Sequence, residues 1–228
     1  MSLNAIRKKI STACQDAGRD AGGVTLVAVT KNQPPEKIIP LLDAGHRVFG
    51  ENRVQDAMEK FPALRDSYDG IELHFIGHLQ SNKARDAVKY CDVIQSLDSE
   101  KLADALKEEM DRQNRPLPCF IQINTGGEEQ KGGISPRALE KFFRFCTEET
   151  GLQIRGLMSI PPAGDSAALH FALLHKLAAG LPLPCLSMGM SGDFEAAIRL
   201  GATHVRIGTA LFGEREEKHN PRTTAVSW

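Results

Sequence analysis

The chain lacks the features of an exported, membrane-inserted or nucleic-acid-binding protein. Its 228 residues hold five cysteines, Cys14, Cys91, Cys119, Cys146 and Cys185, with no CxxC among them. An odd number leaves at least one thiol unpaired in any intramolecular scheme, so a disulfide framework is not expected and a reducing, cytoplasmic location is. No stretch approaches the roughly 20 apolar residues of a membrane span. The opening MSLNAIRKKISTACQDAGRD carries a charge every few residues where a signal peptide would have an apolar centre. Neither sign of charge is in excess: 28 Lys and Arg stand against 29 Asp and Glu, a net charge of −1. That balance leaves no footprint for nucleic acid or an anionic membrane. HExxH, GxGxxG and Walker-type loops are missing, so zinc hydrolysis, dinucleotide binding and ordinary nucleotide binding have no support, and no metal is expected. Tyrosine is scarce, with only Tyr68 and Tyr90.

What is present is alternation. After an amphipathic opening helix at about 2–18, with Leu3, Ile6 and Ile10 at helical spacing, short β-branched runs alternate with longer helical patterns. The strand candidates are VTLVAVT (24–30), HRVFG (46–50), LHFIG (73–77), DVIQS (92–96), PCFIQIN (118–124), LQIRGLM (152–158), PCLSM (184–188) and HVRIG (204–208). Helical stretches such as PEKIIPLLDAG, SEKLADALKEEMDRQ and SGDFEAAIRLG separate them, several opened by Ser, Pro or an acid and closed by Gly. Parallel strands joined by such crossovers need helices over the sheet. The pattern predicts a single α/β domain, a (β/α)8 TIM-type barrel over about 24–213, with an open doubly wound sheet as the alternative. EREEKHNPRTTAVSW is left as a short polar tail. Its EREEK run, like EEMDR earlier, reads as a solvated charged face.

In such a barrel the reactive groups lie at the C-terminal ends of the strands, and phosphate commonly sits on the loops after strands seven and eight. The first strand ends VAVTKNQPP, placing Lys31 where an apolar strand emerges and Pro34 and Pro35 stop it. A partly desolvated amine there is a nucleophile toward carbonyl compounds; equally, a lysine at a strand end is often a solvated loop residue. SMGMSGDFEAAI follows strand seven and RIGTALFG strand eight, so Gly208, Thr209 and the backbone N–H groups of both loops suit a phosphate. In strand eight Val205 and Ile207 alternate with His204, Arg206 and Gly208, so Arg206 points into the barrel if Val205 and Ile207 pack on the helices, and is simply wet on an open-sheet surface. A buried guanidinium needs a partner, either a ligand or an acid. Gln122 and Asn124 project to one side of strand five in the same way. His74 and His78 share a strand face about 13 Å apart, too far for easy sharing of a metal. His170 and His175 diverge on a helix.

These segments also carry a resemblance. VAVTKNQP, FGENRVQDA, LHFIGHLQSNKAR, IQIN, GLMSIP, LSMGMSGDFEAAI and VRIGTALFG, in this order, closely resemble the pyridoxal phosphate homeostasis proteins, called YggS or PROSC proteins, from about Leu26 to Gly213. The resemblance implies a barrel like the N-terminal domain of fold type III enzymes such as alanine racemase. It implies pyridoxal 5'-phosphate (PLP) held as an internal aldimine on Lys31, with Asn52 near the cofactor and Arg206 at the pyridine nitrogen. Phosphate is then held by the Ser187–Ser191 loop, through Ser187, Gly189 and Ser191, and by Gly208 and Thr209.

A permanent cation at the ring nitrogen makes the ring a weaker electron sink. The second acid/base of a racemase, a tyrosine from a C-terminal β domain, is expected to be absent. The implied role is therefore PLP carriage and vitamin B6 homeostasis, with no catalytic residue assigned, PLP-requiring apoenzymes as partners, and a monomer or weak homodimer. Residual racemase or other amino-acid chemistry on the same site is the alternative, and a Schiff-base aldolase for a sugar phosphate a further one. Three features depart from the pattern: Arg53 in place of an aromatic after GEN, Gly192 in place of a frequent Asp, and a shortened 161–184 segment.

Overall fold

The β-branched and aromatic runs form eight short strands in a computed structural model, which describes residues 1–128 and 132–213. They are β1 (Thr25–Val29), β2 (Val48–Glu51), β3 (Glu72–Phe75), β4 (Val93–Leu97), β5 (Cys119–Ile123), β6 (Ile154–Ser159), β7 (Cys185–Ser187) and β8 (His204–Ile207). All pair in parallel in chain order, and β8 returns to β1 with Leu26 opposite Val205 and Val27 opposite Arg206. This last pairing closes the barrel and rules out the open sheet.

The helices are α1 (Leu3–Asp16), α2 (Pro35–Asp43), α3 (Val54–Ser67), α4 (Ala84–Tyr90), α5 (Glu100–Arg112), α6 (Leu139–Arg144), α7 (Ala167–Ala179), α8 (Phe194–Arg199) and α9 (Thr209–Phe212). Ser2 caps α1 by accepting from the Ala5 N–H, and Ser99 caps α5 by accepting from Leu102. α6 continues as a π-helical turn at Phe145–Glu149. None of the helices described is long and apolar enough to cross a membrane. The tail from residue 214, with its EREEK run, lies outside the described residues.

Strand alternation divides the apolar residues between two cores. Leu26, Phe49, Leu73, Phe75, Ile121, Val205 and Ile207 face outward into one continuous layer with helix residues such as Ile38, Phe61, Leu106, Phe171 and Ile198. Ile6 and Ile10 of α1 join this layer, and α1 lies against α8 outside the barrel. The inward set is smaller: Val93, Phe120 and Met158 form a separate cluster, and the Phe120 ring meets the His204 ring edge-on at 5.1 Å. Val27, Gly50 and Ile76 also face inward, and polar groups fill much of the rest. His74, Gln95, Ser187 and Arg206 are all buried inside the strands.

Candidate functional site at the C-terminal mouth of the barrel

The polar inward residues lead to a cavity of about 650 Å³ at the C-terminal ends of the strands. Lys31, Asn52, Ser191, Arg206, Gly208 and Thr209, each singled out from the sequence, line it together. Ser187 and Gly189 lie beneath it. The Ser187 hydroxyl accepts from Arg206 at 2.7 Å and donates to Gln95 Oε1 at 2.6 Å, while the Gly189 carbonyl accepts from the Arg206 N–H at 3.0 Å. These two residues therefore seat Arg206 and stand behind the cavity wall.

Lys31 sits one residue past a buried Thr30, on a turn in which Asn32 takes a left-handed φ of 59°. Asn tolerates that conformation better than most side chains. Lys31 is exposed, so the desolvation expected from its place at a strand end is not supplied by the protein. The turn is instead held from behind. Lys60 of α3 donates to the carbonyls of Thr30 and Gln33 at 3.0 and 3.2 Å, on either side of Lys31 and Asn32. It also donates to Glu51 Oε1 at 2.7 Å, and the Thr30 hydroxyl reaches the same oxygen at 2.7 Å. Burial pushes the Glu51 carboxyl above its ordinary range, and the hydrogen bonds from Lys60 and Thr30 pull it back. This Glu51–Lys60 pair was not recognised from the sequence, because Glu51 faces the helix layer and Lys60 sits on an otherwise amphipathic helix.

Asn52 follows β2 and is fixed by close approach: a Cβ on Gly77 would lie 2.1 Å from the Asn52 carbonyl oxygen, so only glycine fits there. The Asn52 side-chain Oδ1 is buried with no partner. Across the mouth, the chain after β7 turns at Gly189, with φ of 92°, and a Cβ there would lie 2.5 Å from Ala197 Cβ of α8. The loop is thereby packed onto α8. Met190 N–H donates to Asp193 Oδ1, and the Ser191 hydroxyl accepts from Ala210 N–H at 3.2 Å, which joins the two loops. The backbone N–H groups of Ser191, Gly192 and Thr209 find no acceptor among the described residues. They form a cradle for an anion.

Arg206 is the buried cation of the site. It is 4% exposed, donates to Ser187 Oγ and to the Ser159 carbonyl at 2.8 Å, and has no carboxylate within ion-pair distance among the described residues. Burial lowers its pKa to about 10, with Asp193 opposing, so it stays a cation at neutral pH. Gln122 and Asn124 line the cavity as strand alternation implied, and His78 lies at its rim, 3.8 Å from Asp98. His74 is instead enclosed in the barrel, bonded to Glu72 and Gln95, so the two histidines occupy separate surroundings. His175 bonds the Leu200 carbonyl, while His170 lies 3.4 Å from Asp165. Tyr68 bonds Asp43, and neither it nor Tyr90 lines the cavity. Arg53 is exposed at the start of α3, and the structure offers no account of why it stands there. Gly192 lines the cavity with nothing within 4 Å of a Cβ, so a side chain has room. Residues 161–184 hold α7.

The family model described as alanine racemase, N-terminal domain, matches residues 1–216. The pyridoxal phosphate homeostasis protein of Aquifex aeolicus is 41% identical over 94% of this chain and 97% of its own. That of Vibrio cholerae is 42% identical over 96% and 97%. The chain belongs to this family. Among solved structures, PipY of Synechococcus elongatus without PLP superposes with a TM-score of 0.81 at 37% identity, over 91% of this chain and 100% of that one. The same protein has also been solved with PLP bound, and this form matches with a TM-score of 0.77. Alanine racemase from Corynebacterium glutamicum, at 21% identity and a TM-score of 0.68, shares the fold, with 96% of this chain covering 63% of the racemase.

Proposed function

We propose that the chain binds pyridoxal 5'-phosphate at the barrel mouth and serves intracellular PLP homeostasis, with Lys31 as the covalent tether. The observation that carries this reading is the convergence of an accessible primary amine, an unsatisfied backbone N–H cradle and a buried guanidinium on one cavity. A cavity of about 650 Å³ falls within the size range of small-molecule sites. When bound, PLP supplies an electrophilic aldehyde and an electron-accepting pyridine ring. The family membership and the PLP-bound PipY structure support the choice of ligand.

Each residue then has a task. Lys31 Nζ, the accessible primary amine of the cavity, would be the group that holds the cofactor's aldehyde end. Ser191, Gly192 and Thr209 would offer their backbone N–H groups to the phosphate, and the small Gly208 would let it approach. Asn52 offers its unpartnered Oδ1 and its amide to the ring. Arg206 would be the donor held against the ring nitrogen, where a permanent cation disfavours protonation because two adjacent cations repel. That restraint suits storage and delivery better than carbanion chemistry, and the relatives bear the name of homeostasis proteins rather than of enzymes. We assign no catalytic residue. One domain over the barrel and α1 suffices for this role, and PLP-requiring apoenzymes in the cytoplasm are the recipients it calls for, the carrier being a monomer or weak homodimer.

Titrating the purified protein with PLP tests the reading. An absorbance band shifted from that of free PLP, saturating at one equivalent and lost in Lys31→Ala, is expected; an identical band in the variant contradicts the assignment. Amino-acid chemistry on the same site requires exchange of the substrate α-proton with deuterated solvent. No such exchange is expected.

A further inference from the structure

Arg206 does not stand alone in the barrel. Starting from its guanidinium, hydrogen bonds run through four further side chains to the opposite end of the sheet. Arg206 donates to Ser187 Oγ at 2.7 Å, Ser187 donates to Gln95 Oε1 at 2.6 Å, Gln95 Nε2 meets His74 Nδ1 at 2.5 Å, and His74 Nε2 meets Glu72 Oε1 at 2.6 Å. Ser187, Gln95 and His74 are at most 1% exposed, so water does not compete. The path crosses the barrel from β8 and β7 to β4 and β3. With His74 neutral and Glu72 ionised, a single set of directions satisfies every contact: each group accepts from the Arg206 side and donates toward Glu72. The His74 hydrogen bond holds the Glu72 carboxyl below its usual range, which keeps that end anionic.

We infer that Glu72, His74 and Gln95 are positioning residues, forming with Ser187 a one-way hydrogen-bond relay that orients Arg206 toward the PLP ring and places its counter-charge at the far end of the barrel. The relay rests on Arg206 facing the cofactor as proposed above. Its physical basis is that a desolvated cation polarises a chain of aligned donors, each strengthening the next in a low dielectric. A direct ion pair would tie the guanidinium to a carboxylate and remove it from the cavity; the relay leaves its donors in place. A purely space-filling role for Gln95 would be met by leucine, which has similar volume and no polar atoms.

The test compares Gln95→Leu, which breaks the relay at its centre, with Glu72→Gln, which removes only the distant charge at a half-exposed side chain, and Ser96→Ala, a control at a buried hydroxyl without a partner. In the PLP-free protein, nitrogen-15 NMR of labelled histidine and arginine should show His74 as the Nε2–H tautomer and slowly exchanging Arg206 guanidinium protons. Gln95→Leu is expected to lose that protection, to weaken PLP binding about tenfold, the worth of a charge-assisted hydrogen bond, and to shift the bound-PLP absorbance maximum. Glu72→Gln should move the same readouts less, and Ser96→Ala not at all. Unchanged guanidinium exchange and unchanged absorbance in Gln95→Leu would overturn the relay while leaving PLP binding intact. A wild-type protein that takes up no PLP would instead overturn the binding site, with the NMR signals still deciding whether the relay exists.

Discussion

At the scale of single residues, the site is held by groups that never touch the proposed ligand. Lys60 braces the turn that carries Lys31, and its removal would leave Glu51 buried beside a lone hydroxyl. Lys60→Met is therefore expected to cost about 3–5 kcal/mol, as breaking one side of a buried pair does. Urea unfolding would read it as a lower midpoint with unchanged slope, and a loss under about 1 kcal/mol would mean that the pair is not sealed from water. The same variant should bind PLP more weakly, because the Lys31 turn loses two of its anchors. The orientation of Arg206 was legible on one condition: alternation with Val205 and Ile207 turns it inward in a closed barrel, whereas on an open sheet the same pattern would leave it wet. Ser187 was legible as a nearby residue and not in its task. A serine next to a small-residue loop reads as a phosphate ligand, and only the barrel cross-section reveals that its hydroxyl joins Arg206 to Gln95.

At the scale of elements, each of the eight strands overlaps its apolar run: β1, β5, β7 and β8 lie within theirs, while β2, β3, β4 and β6 extend one residue past an end, at Glu51, Glu72, Leu97 and Ser159. β8 spans His204–Ile207 within the HVRIG run, and β7 spans Cys185–Ser187 within PCLSM. Runs of alternating or continuous apolar residues carry that information locally. Closure by β8 against β1 does not, because an open sheet uses the same local patterns. The π-helical turn at Phe145–Glu149 was equally hidden, being a one-residue slip in an otherwise helical stretch. The Glu72–His74–Gln95 chain escaped notice because it passes between two strands, from Glu72 and His74 on β3 to Gln95 on β4, although a polar residue in mid-strand, as in DVIQS, was the available signal. Gly189 links an element to the site. Gly189→Ala places a methyl group 2.5 Å from Ala197 at a φ of 92°, so α8 must move or the loop must refold. A loss of about 1–3 kcal/mol is expected from the backbone strain, with weaker PLP binding as the N–H cradle opens. A thermal melt and a PLP titration that both match the parent would refute this account of the loop.

For the whole molecule, two imidazoles, His46 buried and His204 partly buried, make stability depend on acid. Burial lowers His204 to about 3 and His46 to about 4, whereas in the unfolded chain both titrate near about 6.5. Below that value the unfolded chain takes up protons that the fold refuses, so stability falls as pH falls from about 6.5 toward 4. Glu51, pushed upward, acts in the opposite sense, so the slope itself is not diagnostic and the variants are. His204→Gln should flatten the decline of melting temperature between pH 7 and 4, and an unchanged decline would show that His204 is hydrated in the fold. The barrel thus pairs a dry, charge-ordered interior with an accessible amine at its mouth, and the central claim concerns that amine. Reducing the PLP-loaded protein with borohydride and mapping its peptides by mass spectrometry tests it most directly. The account predicts one phosphopyridoxyl group, on the peptide containing Lys31; the label on another lysine, or none at all, would contradict it.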